Sequence, residues 1–194
     1  LLDEIDKISS DMRGDPASAL LEVLDPNQNA TFRDRYLEVP YDLSDVLFIT
    51  TANTLDTIPA PLLDRMEIIE LGSYTREEKF QIAKKHLVKK EMKRHGLDSK
   101  MLKITDDAIY AIIDFYTREA GVRTLEREIG SVCRKCAKEI VAGEKKSCRV
   151  SEKNLEALLG PRKFKDDMQE NKNMVGVVNG LAWTAVGGEL LQVE

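Results

Sequence analysis

The hydrophobic period of the chain changes once, near Tyr74, and that change limits the folds open to it. Before it, apolar residues come in short unbroken runs. Leu1-Leu2 ends one run against Asp3-Glu4, Val46 to Thr51 is a second, rich in β-branched residues, and Met66 to Leu71 is a third. Such runs predict buried strands. Pro16 to Leu24 has the composition of a helix, stopped by Asp25-Pro26-Asn27. Buried strands mixed with short helices predict an α/β layer over residues 1–73.

From Tyr74 to about residue 160 the period is helical. Thr75-Arg76-Glu77-Glu78 spells a capping box, and Phe80, Ala83, Leu87, Val88 and Met92 follow on one face until Gly96 stops the helix. Thr105-Asp106-Asp107 opens a second helix with Ile109, Ile112, Ile113 and Tyr116 inside. A third is expected from about Gly121 to Gly143, and Ser151 caps a fourth carrying Leu155, Leu158 and Leu159. Two short alternating pieces, Leu102 to Ile104 and Cys148 to Val150, can pair as a minimal sheet. Residues 74–160 therefore read as a small helical domain.

Residues 161–174 are polar and aperiodic, the composition of a linker. Val175 to Val186 and Glu189 to Glu194 then flank Gly187-Gly188, which reads as a hairpin turning at the two glycines. One hairpin is not stable alone, so residues 175–194 are expected to open a third domain. Leu1 falls inside an apolar stretch with no initiator Met and no signal-peptide pattern, and Glu194 ends an alternating one. The chain is expected to be a piece of something longer.

Composition removes several functions. Lys plus Arg number 29 against 34 Asp plus Glu, a net charge of −5, which leaves no electrostatic footprint for nucleic acid or an anionic membrane. No apolar run is long enough to cross a bilayer. Two histidines cannot make a histidine-rich metal site, and three cysteines are too few for a disulfide framework. Cys133 and Cys136 form a C-x-x-C, but both lie on the apolar stripe Val122, Leu125, Ile129, Val132, Ile140, so the reading is buried core in a reducing compartment.

Four places could carry chemistry. Asp3 and Glu4 stand at the carboxyl end of an apolar strand, the edge of an α/β sheet where ligands bind. There an Asp can hold Mg²⁺ through water while a neighbouring Glu polarises an attacking water. Asn53 stands at the end of the Val46 to Thr51 strand, where its amide could orient water or phosphate. Arg65 lies between a helical turn and a strand, and its planar fork suits phosphate oxygens. Arg123 occupies the first turn of a long helix, against the helix dipole, a placement that points to an anion. Alone, each has a plainer alternative: a solvated turn, a turn Asn, an ion pair of Arg65 with Asp64 or Glu67, an exposed first-turn Arg.

Taken together, their order closely resembles the ATPase module of the Lon family of ATP-dependent proteases, in the AAA+ class. Leu1 to Lys7 resembles its Walker B segment, and Gly14 to Pro26 the segment behind it. Gly180-Leu181-Ala182-Trp183-Thr184 with Gly187-Gly188 resembles the opening of its proteolytic domain. The resemblance implies a partial AAA+ P-loop NTPase domain, a helical lid domain and the start of a β-rich protease domain. It implies that Asp3 helps hold Mg²⁺ beside ATP, Glu4 activates the hydrolytic water, and Asn53 is sensor 1. Arg65 would be an arginine finger reaching the ATP of a neighbouring subunit in a hexameric ring, and Arg123 sensor 2. Ile8 to Gly14, with Met12, resembles a pore loop that grips unfolded protein substrates. The family occurs in the bacterial cytoplasm and the mitochondrial matrix, and the first is the expectation here. No G-x-x-x-x-G-K-[ST] phosphate loop occurs among the 194 residues, so this segment alone is expected neither to hydrolyse ATP nor to cut peptides.

Overall fold

The computed structural model describes residues 1–8, 15–34, 36–164, 176, 178–184 and 187–193. They divide into two compact units, Leu1–Glu70 and Leu71–Glu194. The expected pore loop with Met12 and most of the expected linker over 161–174 lie outside the described residues.

In the first unit, Leu2 forms a single parallel bridge with Thr50. Helix α1 spans Pro16–Leu24. Asp15 caps it by accepting the Ala17 amide at 3.1 Å, and Pro16 stands in the first turn, where its missing N–H costs nothing. Strands β1 (Phe32–Arg33) and β2 (Pro40–Tyr41) pair antiparallel, and a short helix, α2, covers Ala60–Leu63. Ile5, Ile58 and Leu62 are buried, with Leu20, Leu24 and Met66 packed against them.

The predicted strands at Val46 to Thr51 and Met66 to Leu71 do not form ladders. Thr50 makes one bridge, Leu47 is 82% exposed and Ile69 76%. The cause is pairing: a strand's backbone groups need a neighbour, and among the described residues the Val46 run has only Leu2 and its flanks, while the Met66 run has none.

The second unit is built mainly from helices. Helix α3, Arg76–Ile82, starts on Thr75 with the expected capping box, widens into one π turn over Ala83–Leu87 and resumes as α4, Val88–Arg94. Gly96 ends it at φ +68°, a left-handed conformation that suits glycine. Strand β3 (Leu102–Ile104) pairs with β4 (Cys148–Val150) as expected, in parallel register. Helix α5 is Asp106–Tyr116, α6 Arg123–Val141 and α7 Glu152–Leu159. Their inward stripes meet in one core that includes Ala83, Ile112, Leu125, Ile129, Val132 and Val150. All three cysteines are buried and free, with Cys136 Sγ 2.9 Å from Cys148 Sγ.

The hairpin is present, but Gly187 and Gly188 do not turn it. Strands β5 (Val178–Thr184) and β6 (Gly187–Val193) pair antiparallel with Thr184 opposite Gly187 and Trp183 opposite Gly188. The two glycines are therefore ladder residues rather than the turn. Full seven-on-seven pairing outweighs the turn preference of Gly-Gly, since each extra pair satisfies backbone groups.

Candidate functional site

Asp3 and Glu4 follow the bridged Leu2, and one residue from the neighbouring segment holds both. The Thr51 amide donates to Leu2 O at 3.0 Å, and Thr51 O accepts the Ile5 amide at 2.9 Å. Its hydroxyl accepts the Glu4 amide at 3.0 Å and donates to Asp3 Oδ1. Between these bonds Glu4 adopts φ 56°, ψ 49°, a left-handed conformation that costs a non-glycine residue about 1–3 kcal/mol. Strain of this kind persists only where the surroundings over-determine it, and four bonds to Thr51 do so here.

The Glu4 carboxylate is exposed and takes an ion pair from Lys7, Oε2 to Nζ 2.5 Å. That bond holds the Lys7 ammonium above its usual range. Asp3 is exposed as well, with Thr51 engaging one of its two oxygens. The carboxylate edge borders an apolar groove of about 440 Å³ lined by Leu2, Ile5, Ile8, Ala19 and Leu20.

Asn53 lies two residues beyond Thr51 in an exposed bend, so Asp3, Glu4 and Asn53 share one end of the Leu2–Thr50 bridge. Arg65 is turned back on its own unit. Its Nη1 donates to Pro61 O at 2.9 Å, and its Nη2 stands 3.6 Å from Asp25 Oδ2. The expected intrachain partners, Asp64 and Glu67, are not the ones used, because Asp25 at the end of α1 is the carboxylate within reach. The Asn27 amide chiefly, and then the Arg65 charge, hold the Asp25 carboxyl below its usual range.

Arg123 opens α6 in the second unit, and its exposed guanidinium makes no hydrogen bond or ion pair to any described residue of that unit. Val122, the residue before it, supplies no side-chain cap. Among the described residues no group of three or more His, Cys, Asp or Glu is arranged to hold a metal, and no helix is long and apolar enough to cross a membrane.

Known families match the chain in three pieces. The ATPase family associated with various cellular activities (AAA) matches residues 1–74. The Lon protease AAA+ ATPase lid domain matches 93–149, and the Lon protease (S16) C-terminal proteolytic domain matches 149–194. The Lon protease of Desulforamulus reducens is 57% identical over all 194 residues, which cover 24% of that protein. Lon protease 1 of Bacillus subtilis is 58% identical over the same residues, 25% of its length. The chain belongs to the Lon protease family.

It spans about a quarter of the length of these relatives. In Lon terms, the first unit falls within the AAA match, α5 and α6 fall within the lid match, and α7 and the hairpin fall within the match to the proteolytic domain. A solved structure of the Bacillus subtilis Lon protease SSD domain is 52% identical, covers 47% of this chain and 97% of its own, and superposes with a TM-score of 0.41.

Two residues escaped the sequence reading of this Lon segment. Thr51 was legible as a strand end, but nothing local marks it as the partner of Asp3, 48 positions away. Asp25 reads in the sequence as a helix stop, and its pairing with Arg65 depends on how α1 and α2 pack.

Proposed function

We propose that this chain is the coupling segment of an ATP-driven serine protease that unfolds and degrades proteins, supplying residues that act on ATP only in the whole protein. The observation that carries the reading is the Asp3-Glu4 pair, fixed by Thr51 at the end of the Leu2–Thr50 bridge with Glu4 held in a strained backbone.

The residues present fit Mg²⁺ and ATP. Mg²⁺ is bound through one or two carboxylates, retained waters and phosphate oxygens rather than a full protein cage, so an exposed Asp3 with a free oxygen suits it and the lack of a larger acidic cluster does not count against it. Asp3 would hold the ion, and the chemistry it would supply there is neutralisation of phosphate charge. Glu4 accepts a proton from the attacking water, and Thr51 fixes the backbone from which Glu4 projects. Asn53 orients that water. Arg123 senses the nucleotide through its unpaired guanidinium.

Arg65 acts on a nucleotide held by a neighbouring subunit, which requires a head-to-tail interface and hence a closed ring, read here as a hexamer. Its Asp25 contact is long and partly exposed, a pairing that is weak and easily exchanged. Met12 contributes to a pore loop for unfolded protein. Three buried, unpaired thiols suit a reducing compartment, and bacterial cytoplasm is the proposed location.

The test is Glu4→Gln in the full-length protein. ATP binding is retained and turnover falls at least about 100-fold, the scale on which a positioned base contributes. Unchanged turnover overturns the assignment.

A further inference from the structure

Helix α6 begins unlike its neighbours. Helices α3 and α5 each start on a threonine whose hydroxyl accepts a first-turn amide. Before α6 stand Gly121 and Val122, which carry no acceptor, although its first residue, Arg123, adds a positive charge where the helix dipole is already positive. Four unpaired amides and an adverse charge would fray this turn.

The deficit is met from further upstream. Glu119 Oε2 accepts the Thr124 amide at 2.8 Å, and Oε1 accepts the Leu125 amide at 2.8 Å. One carboxylate caps two consecutive first-turn amides and places a negative charge beside the one position that carries the arginine. Its backbone is held in turn. Lys79, only 8% exposed, spends its ammonium on Glu119 O, and the Tyr74 amide donates to Ala120 O at 3.0 Å. Thr117 at the start of the loop is buried, with its hydroxyl on Ile113 O at 2.8 Å. A buried ammonium is costly unless it is bonded, so Lys79 ties this loop firmly to α3.

From this geometry we infer that Glu119 is the positioning residue for Arg123. It fixes the first turn of α6, and hence the point from which the guanidinium reaches the nucleotide, while Lys79 couples that turn to α3. The inference rests on the reading of Arg123 as a nucleotide-sensing residue.

The experiment is a double-mutant cycle on ATP turnover by the full-length protein, using Glu119→Ala, Arg123→Ala and the pair, with kcat and KM resolved and helix content checked by circular dichroism. Arg123→Ala impairs turnover. Glu119→Ala impairs the same parameter by about fivefold or more, the factor lost with one helix cap, and the double variant is no worse than Arg123→Ala alone. Glu119→Gln, which keeps an acceptor, recovers part of the loss, and it replaces Glu119→Ala in the cycle should the latter not fold. Additive losses make Glu119 a structural residue and overturn the inference, as does an inert Glu119→Ala beside an impaired Arg123→Ala. An inert Arg123→Ala instead removes the reading of Arg123 on which the inference rests.

Discussion

The sharpest test of the packing in the helical unit is Gly130→Ala, because the sign of its effect depends on one neighbour. Gly130 lies in the interior of α6, where alanine is favoured over glycine by about 1 kcal/mol. A methyl there, however, would stand 2.6 Å from Glu91 Oε2 and 3.4 Å from Glu91 Cδ. Glu91 is 2% exposed, and its carboxyl is set between Arg94 Nη1 at 3.5 Å and His95 Nδ1 at 3.6 Å, with Oε1 accepting no hydrogen bond among the described residues. The carboxyl has to retreat and has no solvent to retreat into. Disturbing a buried polar group costs about 1–3 kcal/mol, and a carboxyl with no solvent to retreat into falls in the upper part of that range, about 2–3 kcal/mol, so after the propensity gain the net loss is about 1–2 kcal/mol. Amide exchange at Val132 and Cys133, whose side chains are fully buried, reads that loss locally as roughly 5–30-fold faster opening. In a Glu91→Ala background the clashing atoms are gone, and Gly130→Ala slows exchange by about fivefold instead. Slower exchange on Gly130→Ala with Glu91 in place would refute the reasoning, and so would the same acceleration in both backgrounds.

Burial pushes the Cys133 thiol up to about 12 and raises Cys136 as well. Since the thiolate is the nucleophile, alkylation of Cys133 at pH 8 in the native chain runs roughly a thousandfold slower than for an ordinary thiol. Mass-spectrometric labelling before and after unfolding measures this, and rapid native labelling contradicts it. Tyr110 donates to Glu77 Oε2 at 2.7 Å, which lowers the Glu77 carboxyl from its ordinary 4.5 and raises the Tyr110 hydroxyl from 10.0. A depressed carboxyl stabilises above its unfolded value and loses that as pH falls through the folded one, and a raised phenol stabilises below its unfolded value and loses that as pH rises through the folded one. The melting-temperature gap between wild type and Tyr110→Phe is thus widest between about pH 5 and pH 9 and closes at both ends, whereas a gap independent of pH excludes the contact. Thr51→Val removes the hydroxyl shared by Asp3 and Glu4. It lowers ATP turnover of the full-length protein about 10–100-fold with nucleotide binding retained, and unaltered turnover means that Thr51 positions nothing.

The helical unit was legible because its signals are local. Thr75 with Glu78 and Thr105 with Ala108 are pairs three residues apart, and both caps form as the sequence implies. Helix α6 runs from Arg123 to Val141 against an expectation of about Gly121 to Gly143, a difference confined to the ends. The apolar stripe that placed Cys133 and Cys136 in the core did so correctly, since both are fully buried. The hairpin was legible as a hairpin but not in register, because a Gly-Gly pair marks a turn only when the flanking strands leave those residues unpaired, and strands β5 and β6 do not.

The first unit was harder to read for the converse reason. A helix satisfies its own backbone, so its pattern needs only its neighbours in sequence, whereas the apolar run at Val46 to Thr51 specifies burial without specifying partners. The same distinction runs through the candidate site. Charged residues at strand ends and helix starts announce themselves, and Asp3, Glu4, Arg65 and Arg123 are candidates on that ground. What fixes them does not announce itself. Thr51 reaches Asp3 across 48 positions, Asp25 reaches Arg65 from the end of another helix, and Glu119 caps α6 from outside its first turn. None of the three carries the chemistry assigned to its neighbour, and none has a composition that separates it from ordinary turn or strand-end residues. The proposed chemistry is therefore read from residue type and order, while the geometry that would make it effective is held by a threonine and two carboxylates whose roles exist only once the backbone has brought distant segments together. Substitutions at Thr51 and Glu119 measure that second layer directly, because each leaves the chemical group intact and removes only what holds it.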